Sequence, residues 1–390
     1  MAMASAPETW VATLGMFIID IFRFEDPQTG QDLGDRGLGD QIGGGGTYFA
    51  IGARVWLDPE NISMTIDRGS DFPQAIQDKL NTFSKGSNGL WRWRERKQGG
   101  TTRAVNIYRG EQRGFEYLSE KIRLDPIHLL EEAASSGNVS GKLPRFIHFI
   151  CSPQRALQIV DQVDELKDHW NDGQRPKLVW EPIPDSAKAE NLLDCISVMQ
   201  RIDIISPNHE EAASFLSVSL QDILSPASVL STDHICATLA RRLAVGLAER
   251  CPPSSRPLVC IRAGKYGSAV LVPSSAAVED SKDQMGWAEA YHTERDSHRV
   301  VDVTGAGNAW LGGFVASLVL HDQEKRQRRS SESWSLGVAL KAAMVGSVSA
   351  SFIVEQQGLP DFKEGKWNGE SPQERLVQLE SRAPVSLDLH

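Results

Sequence analysis

Cysteine is scarce in this 390-residue chain and shows no pairing pattern. No two of the cysteines form a Cys-x-x-Cys motif, and a sparse, odd set of thiols excludes a disulfide framework. Such usage is typical of proteins that remain in a reducing compartment, so we expect a cytoplasmic protein. The cysteines are Cys151, Cys195, Cys236, Cys251 and Cys260.

Long apolar runs and targeting signals are also missing. No uninterrupted apolar run approaches the roughly 20 residues that a transmembrane helix needs. The opening MAMASAPETW has neither the basic nor the apolar region of a signal peptide. No His, Cys and Asp residues have metal-ligand spacing, and residue order alone supports no Ser-His-Asp set. We therefore predict no membrane partner.

An excess of positive charge is absent as well. The net charge of −10 opposes general binding to nucleic acids, because the protein's own field would repel them. One stretch, WRWRERK (91–97), interleaves arginine with tryptophan and predicts a lid edge or an interface. Single-stranded nucleic acid is the lesser alternative for this stretch.

Strands and helices alternate along much of the sequence. The segments RFIHFI (145–150), KLVWEPIP (177–184) and IDIISPN (202–208) predict strands with helices between them, and LVCIRAGKYGSAVLV (258–272) predicts a hairpin. The run WVATLGMFIIDIF (10–22) predicts a buried strand that ends near Asp20. This alternation indicates an α/β fold with a mostly parallel central sheet and helices on both faces.

Ligands of parallel α/β sheets bind at the carboxyl ends of the strands. That rule brings together Asp20, the glycine turn 43–46, Asn208, Gly264 and the turn 305–308. The amides of a strand-to-helix turn such as TGAG favour anions through the helix dipole and their free N–H groups.

Each of these features has a structural alternative. Asp20 could be a solvated carboxylate, and the glycines at 43–46 could form only a flexible turn. Asn208 and Glu211 have the spacing of a metal-water shell around phosphates, but also that of a capping box. Asn308 could serve only as a helix cap.

Six motifs in order resemble those of the PfkB family of carbohydrate kinases, which have the ribokinase-like fold. The resemblance runs from about Val11 to Gly358 and is carried by GMFIID, GGGGTYFAIGA, LVWEPIP with DIISPNHEEAASFL, IRAGKYGSAV, VVDVTGAGNAWLGGFVASL and AAMVGSVSASFIVEQQG. It implies a three-layer α/β sandwich with a small β lid. It also implies ATP and Mg²⁺ as cofactors and a small-molecule alcohol as substrate.

The resemblance also assigns roles to particular residues. The amides of Gly305, Ala306 and Gly307 would form the anion hole beside the catalytic position, Asn308. Glu211 would contact Mg²⁺ through water. The alcohol would be bound by Asp20, Gly43, Gly44 and Tyr48. The nucleotide side would comprise Asn208, Glu211, Arg262, Gly264, Gly267, Asp302, Thr304 and Ser347.

Three positions depart from the family pattern. Asn308 replaces the usual Asp that accepts the proton of the alcohol, and loss of a general base typically costs about 10² to 10⁴ in rate. A loose phosphoryl-transfer transition state softens this loss. An asparagine here is also expected in a fungal, maintenance-of-killer-like branch of the family. Ile18 and Gly45 stand where sugar kinases often have Asn and Lys, which leaves fewer partners for a sugar ring.

Two functional hypotheses follow. The first is an ATP-dependent kinase for a sugar or nucleoside-like alcohol, with activity reduced by Asn308. The second is a catalytically impaired protein of the same fold that binds nucleotide or a protein partner. We expect one kinase domain at 8–360 with lid segments near 22–40 and 99–117. We also expect a peripheral tail at 361–390 and a possible homodimer through the lid.

Overall fold

The computed structural model describes residues 8–84, 89–110, 112–135, 141–224, 232–274, 282–328, 334–382 and 385–387. Its strands form a central sheet of ten, a second sheet of four and a small hairpin. In chain order they are β1 (Val11–Thr13), β2 (Ile18–Glu25), β3 (Gln41–Gly43), β4 (Ile62–Arg68), β5 (Trp91–Glu95), β6 (Arg103–Arg109), β7 (Gln112–Tyr117), β8 (Phe146–Ile150), β9 (Lys177–Glu181), β10 (Ile204–Ile205), β11 (Leu258–Arg262), β12 (Ser268–Val272), β13 (Gln284–Ala288), β14 (Phe362–Lys363), β15 (Lys366–Trp367) and β16 (Val385–Leu387).

The central sheet has the strand order β16-β13-β12-β11-β10-β9-β8-β1-β4-β5. Strands β11 to β5 in that order are parallel, whereas β12, β13 and β16 form an antiparallel edge. The inner parallel strands β8, β9, β10 and β11 are buried along most of their length because both faces of the sheet are covered there. The predicted strands at 145–150 and 177–184 and the predicted hairpin at 258–272 are thereby confirmed.

Helices cover both faces of this sheet. Neighbouring residues Val11 and Ala12 in β1 belong to two separate hydrophobic cores, as do Phe146 and Ile147 in β8, because side chains alternate between faces. The helices are α1 (Gly45–Arg54), α2 (Gln74–Asn81), α3 (Pro126–Ser135), α4 (Pro153–Glu165), α5 (Leu192–Met199), α6 (His209–Leu216), α7 (Leu220–Leu224), α8 (Thr232–Leu239), α9 (Gly246–Ala248), α10 (Ala306–Arg328), α11 (Leu336–Val354) and α12 (Pro372–Glu380).

Helix α11 is long and apolar enough, by composition, to cross a membrane. Its most apolar window is 78% buried inside the protein, where it packs against α10 and the central sheet. A core helix that is enclosed on all sides needs this composition, so the apolar sequence is explained by packing.

The four-stranded sheet, in the order β3-β2-β6-β7, is the predicted β lid. Strand β2 of this sheet corrects one prediction: the apolar run at 10–22 is not a single strand. It is divided between β1 of the central sheet and β2 of the lid. Gly15 lies in the break, where a Cβ would come within 2.6 Å of Gly46 Cα. Asp20 therefore lies within a lid strand, paired with β3 and β6, and not at the end of a central strand.

The stretch 91–97 was expected at a lid edge or an interface, but β5 is the edge strand of the central sheet. Trp91 is buried, and Arg94 pairs with Asp67 of the adjacent β4 at 2.6 Å. The alternation of Arg and Trp thus reflects one face against the core and one face bearing ion pairs.

The segment after residue 360 was expected to be peripheral, and the structure corrects this. Trp367 is 1% exposed and stacks on Phe83, while α12 packs on α11. The guanidinium of Arg375, at 0% exposure, binds the carboxylate of Glu355 at 2.9 Å. Strand β16 extends the central sheet beside β13. The segment therefore completes the core that includes α11.

Candidate active site

Three ionisable side chains lie at or near the carboxyl ends of central strands. Glu181 is the last residue of β9, Arg262 is the last residue of β11, and His148 lies within β8. All three side chains are buried, with exposures between 0 and 7%. Because a buried charge is costly without a partner, these groups must satisfy one another.

Glu181 is the centre of that network. Its Oε1 accepts hydrogen bonds from Arg262 Nη1 at 2.6 Å and from Asn308 Nδ2 at 2.7 Å. Its Oε2 lies 3.3 Å from His148 Nε2. The carboxylate can only accept, so His148 Nε2 carries the proton and Nδ1 accepts from the Thr13 hydroxyl at 2.9 Å.

The network determines the charge of its members. Burial would raise the pKa of Glu181, but Arg262, His148 and Asn308 together hold that pKa below its ordinary value. Burial lowers the pKa of His148, and the nearby Arg262 lowers it further. The stable state is therefore an ionised Glu181 paired with Arg262 beside a neutral imidazole.

Asn208 and Glu211 form the capping box that their spacing allows. The Asn208 side chain accepts from Glu211 N, and the Glu211 side chain accepts from Asn208 N, each at 2.8 Å. Burial raises the pKa of Glu211 to about 7 despite Arg262, whose Nη2 is 3.7 Å away. The structural alternative is thus realised, with the carboxylate at the edge of the charged network.

Few side chains at the carboxyl-terminal edge of the central sheet could bind Mg²⁺ directly. Among the residues that the structure describes, no group of three His, Cys, Asp or Glu side chains could hold a metal ion. The carboxylates of Glu181 and Glu211 are already engaged by Arg262 and by backbone N–H. A divalent cation would have to be held mainly by phosphates and water, with Glu211 reached through water.

The turn into α10, residues 305–308, which we call the cradle, packs closely against Tyr48 and Arg262. Gly305 has φ +78°, and a Cβ there would overlap the ring of Tyr48 at 2.2 Å. A Cβ on Gly307 would lie 2.5 Å from Arg262 Nη1, so the guanidinium lies against the first turn of the helix. A buried cation beside a helix N-terminus favours phosphate.

The set of amides differs from the expected one. The Ala306 N–H donates to Val303 O at 3.2 Å and closes the turn, so it is not directed to a ligand. Gly307 and Asn308 are in the first helical turn, where backbone N–H groups have no acceptor within the helix. Their amides are the available donors of the cradle.

Asn308 is not a helix cap. It is the third residue of α10, and its side-chain amide reaches across to Glu181 on β9. The same side chain lies against the glycine turn at 43–46, because a Cβ on Gly45 would come within 3.0 Å of Asn308 Nδ2. The capping alternative is therefore wrong.

The glycine turn also contacts Asp20. A Cβ on Gly43 would overlap the Asp20 carboxylate at 2.1 Å, and a Cβ on Gly44, whose φ is +92°, would lie 2.3 Å from Met16 O. The turn thus lies between Asp20 on one side and Asn308 on the other. In the lid sheet Asp20 is paired with Ala104, and Ala104 with Tyr117 of β7. Burial and the negative charge of Asp20 raise the pKa of Tyr117.

The remaining predicted residues divide into two groups. Gly264, with φ +55° and open space at its Cβ, and Thr304, whose buried Oγ1 has no hydrogen-bond partner among the described groups, could contact a ligand. The others make structural contacts. Gly267 packs on Ala288 O, Asp302 accepts from Thr304 N, Ser347 Oγ donates to Glu289 O, and the Tyr48 hydroxyl donates to Ile42 O.

Glu181 and His148 are site residues that sequence reasoning missed. Both lie in apolar strands, FIHFI and KLVWE, where an ionisable residue is unexpected unless it has a buried partner. That mismatch was the available signal. The partners themselves are 33 and 127 residues from Glu181 in sequence, so only the fold reveals them.

Two fungal proteins are similar to the chain over nearly its full length. The uncharacterized protein C16C9.01c of Schizosaccharomyces pombe is 31% identical over 378 residues, which are 94% of this chain and 91% of that protein. Protein MAK32 of Saccharomyces cerevisiae is 28% identical over 391 residues, which are 97% of this chain and 94% of that protein. No family model matches the chain.

Solved ribokinase structures share the fold. Ribokinase from Giardia lamblia aligns with a TM-score of 0.62 and 16% identity over 95% of this chain and 99% of that one. Ribokinase from Cryptococcus neoformans in complex with ADP gives 0.59 and 16% over 96% and 99%. Together with the strand-end site, they define a ribokinase-like α/β protein, as predicted. The chain belongs to the same protein family as the Schizosaccharomyces pombe protein, and it shares the ribokinase-like fold with the solved structures.

Proposed function

We propose that the protein transfers the γ-phosphoryl group of ATP to a hydroxyl of a small molecule, a sugar or a nucleoside-like compound. The observation that carries the proposal is the arrangement around the glycine turn at 43–46. This turn separates a buried carboxylate, Asp20, from the cradle at 305–308, and Arg262 lies against that cradle. An alcohol on one side and a phosphate on the other would meet at Asn308.

In the proposed reaction, the alcohol oxygen forms a bond to the γ-phosphorus and the bond to the bridging oxygen breaks. ADP leaves with that electron pair, and the alcohol proton passes to water or to a phosphoryl oxygen. This chain's residues would position and neutralise charge: Asp20 binds the alcohol, and the cradle with Arg262 binds phosphate. Mg²⁺, when bound with ATP, would neutralise phosphate charge.

Support for the nucleotide comes from unsatisfied buried polar groups. In the part of the chain that the structure describes, Arg262 Nε, Ser206 Oγ and Thr304 Oγ1 are buried without a hydrogen-bond partner. Ser206 and Arg262 stand just beyond the end of β10 and at the end of β11, and Thr304 stands in the turn before α10. A polar ligand or its bound water would satisfy them. The Cryptococcus ribokinase of the same fold was solved with ADP.

A second function is favoured by Asn308 itself. An amide cannot accept the alcohol proton at neutral pH, and the nearest carboxylate, Glu181, is engaged by Arg262. A protein that binds nucleotide or a partner without efficient turnover would have the same cradle.

An ATP-consumption screen over sugars and nucleosides separates the two functions. We expect turnover with at least one alcohol, and loss of turnover but retention of ATP binding in Asp20→Asn, because only the alcohol side is changed. ATP binding without turnover for any alcohol would favour the second function. A folded wild-type protein that binds no nucleotide would exclude both.

A cytoplasmic location and a homodimer through the lid are further proposals. The lid region has three of the exposed large apolar side chains, Leu33, Phe115 and Leu118, at 48 to 51% exposure. Apolar groups on a small sheet are suited to a partner surface. Light scattering should give the mass of a dimer for the wild type and of a monomer for Phe115→Ser. A wild-type monomer at all concentrations would contradict the proposal.

A further inference from the structure

The contact between Glu181 and Asn308 constrains both side chains. An ionised carboxylate only accepts hydrogen bonds, so only the NH₂ of the amide can face it. The 2.7 Å contact therefore directs the amide oxygen of Asn308 away from Glu181. The negative charge of Glu181 on β9 thus determines that the NH₂ end of the Asn308 amide faces this strand.

An aspartate at position 308 would not fit this arrangement. Its carboxylate would take the place of the Asn308 amide that now donates a hydrogen bond to Glu181. Two like charges would then lie within hydrogen-bond distance in a buried site. One of them would have to bind a proton or move away. Other charged and titratable groups face the pair from neighbouring elements: Arg262 from β11, His148 from β8 and, through Arg262, Glu211 from α6.

We propose that Glu181 is a positioning residue that fixes the orientation of Asn308, and that the two residues form a charge-matched pair in which either may carry the carboxylate but not both. For turnover this inference rests on the proposed function, but the pairing itself does not. If the function holds, Glu181 directs the acceptor oxygen of Asn308 away from the strand and leaves it free to orient an alcohol.

A double-mutant cycle tests the pair. Denaturant unfolding is measured for the wild type, Glu181→Gln, Asn308→Asp and the double variant at pH 8 and pH 5. We expect Asn308→Asp to lower the unfolding midpoint most at pH 8, where keeping one of the two carboxyls protonated costs most free energy. The double variant should recover stability, because the introduced glutamine amide can donate to the introduced carboxylate. The expected coupling is at least tenfold in the unfolding equilibrium constant, or about 1.4 kcal/mol.

The chain offers a matched control at a second amide–carboxylate contact. Asn368 Nδ2 donates to Glu355 Oε2 at 2.9 Å, away from the cradle. Asn368→Asp makes the same chemical change there, and combining it with Glu181→Gln should give additive effects with no recovery. Recovery in that combination would mean that Glu181→Gln stabilises generally.

The outcomes are distinct. A double variant no more stable than Asn308→Asp at either pH, or a deficit of Asn308→Asp that does not change with pH, overturns the pairing. If Asn308→Asp does not fold at pH 8, the recovery of folded double variant gives the same test. Coupling without ATP turnover in any variant supports the pair and counts against the proposed kinase function. Coupling with unchanged kcat in Glu181→Gln overturns the positioning role in catalysis.

Discussion

At the scale of single residues, the strand-end network holds two buried carboxyl groups whose pKa values are shifted in opposite directions. Arg262 helps to hold Glu181 ionised. Burial raises the pKa of Glu211 to about 7, although its carboxyl lies 3.7 Å from the same guanidinium. One cation thus serves two carboxylates of different acidity. Perturbed groups of this kind at strand ends are typical of functional sites.

The raised pKa of Glu211 has a consequence for stability. Its pKa is about 7 in the fold against 4.5 for an ordinary glutamate, so between these pH values the unfolded chain releases a proton that the folded chain keeps. The contribution of Glu211 to folding stability therefore falls as pH rises from about 4.5 to 7, and is constant above that. Relative to Glu211→Gln, the wild type should lose about 1–3 kcal/mol across this range.

Denaturant unfolding of both proteins at pH 4.5, 6 and 8 measures this difference. The neighbouring exposed Glu210→Gln is the control and should follow the wild type. A stability difference between wild type and Glu211→Gln that is equal at all three pH values would show that folding does not raise the pKa of this carboxyl.

Gly305 should be the least replaceable residue of the cradle. Alanine there would combine a φ of +78° with a Cβ that overlaps the Tyr48 ring. Gly37 has nearly the same φ, +79°, with no atom within 4 Å of its Cβ position, and isolates the backbone contribution. We expect Gly37→Ala to cost about 1 kcal/mol of unfolding free energy. Gly305→Ala should cost about 1–3 kcal/mol more because of the overlap.

Chemical denaturation of the two variants decides this point. Equal losses for Gly305→Ala and Gly37→Ala would mean that the Tyr48 ring moves aside without cost, and that the cradle is not held rigidly.

At the scale of elements, the sequence predicts those strands and helices whose pattern of apolar residues is visible within the segment itself. Buried strands such as 146–150 and 177–181 could be recognised because an apolar run between turns has few other structures. The division of the run 10–22 into β1 and β2 could not, since its only local sign is Gly15. Likewise, Trp367 and Arg375 lie in a polar segment, and their burial depends on partners supplied by α11 and Phe83.

The same reasoning applies to the site. The glycine turns at 43–46 and 305–307 could be located in the sequence because positive φ and close approach of the backbone favour glycine. Asp20 was expected at the end of a central strand, but it lies in a lid strand. Glu181 and His148 could not be assigned, because their role arises from the pairing of distant strands. The capping of Asn308 was wrong for the same reason: its partner lies on β9 and not in its own helix.

Helix α12 offers an element-scale prediction through Arg375. Its guanidinium binds Glu355, Glu370 and the Ser351 hydroxyl, and lies over the Phe352 ring at 3.9 Å. Arg375→Met leaves Glu355 with less compensation in a partly buried site. We expect it to cost about 3–5 kcal/mol of unfolding free energy.

The comparison is made by denaturant unfolding with Arg382→Met, which removes an exposed guanidinium bonded to two backbone carbonyls. That control should cost under about 1 kcal/mol. Similar small losses for both variants would restore the view of this segment as peripheral.

At the scale of the whole molecule, two sheets and two cores bring distant segments to one edge. Asp20 comes from the lid, Glu181 and Arg262 from the central sheet, and Asn308 from a helix between α1 and α11. The net charge of −10 gives the protein a field that opposes the binding of phosphate. Phosphate binding at the cradle would therefore depend strongly on the local positive charge of Arg262. The proposed kinase function therefore depends on the binding of the ATP phosphates by the first turn of α10.

Calorimetric titration with ATP and Mg²⁺ tests this claim most directly, with Gly307→Ala as the variant. A Cβ at 307 would displace Arg262 Nη1 from the helix turn, whereas Gly337→Ala, at the second position of α11, meets only Ser335 Oγ at 3.9 Å. We predict that the wild type and Gly337→Ala bind ATP and that Gly307→Ala binds at least about tenfold more weakly. Equal affinities in all three proteins, or no binding by the folded wild type, would contradict the account.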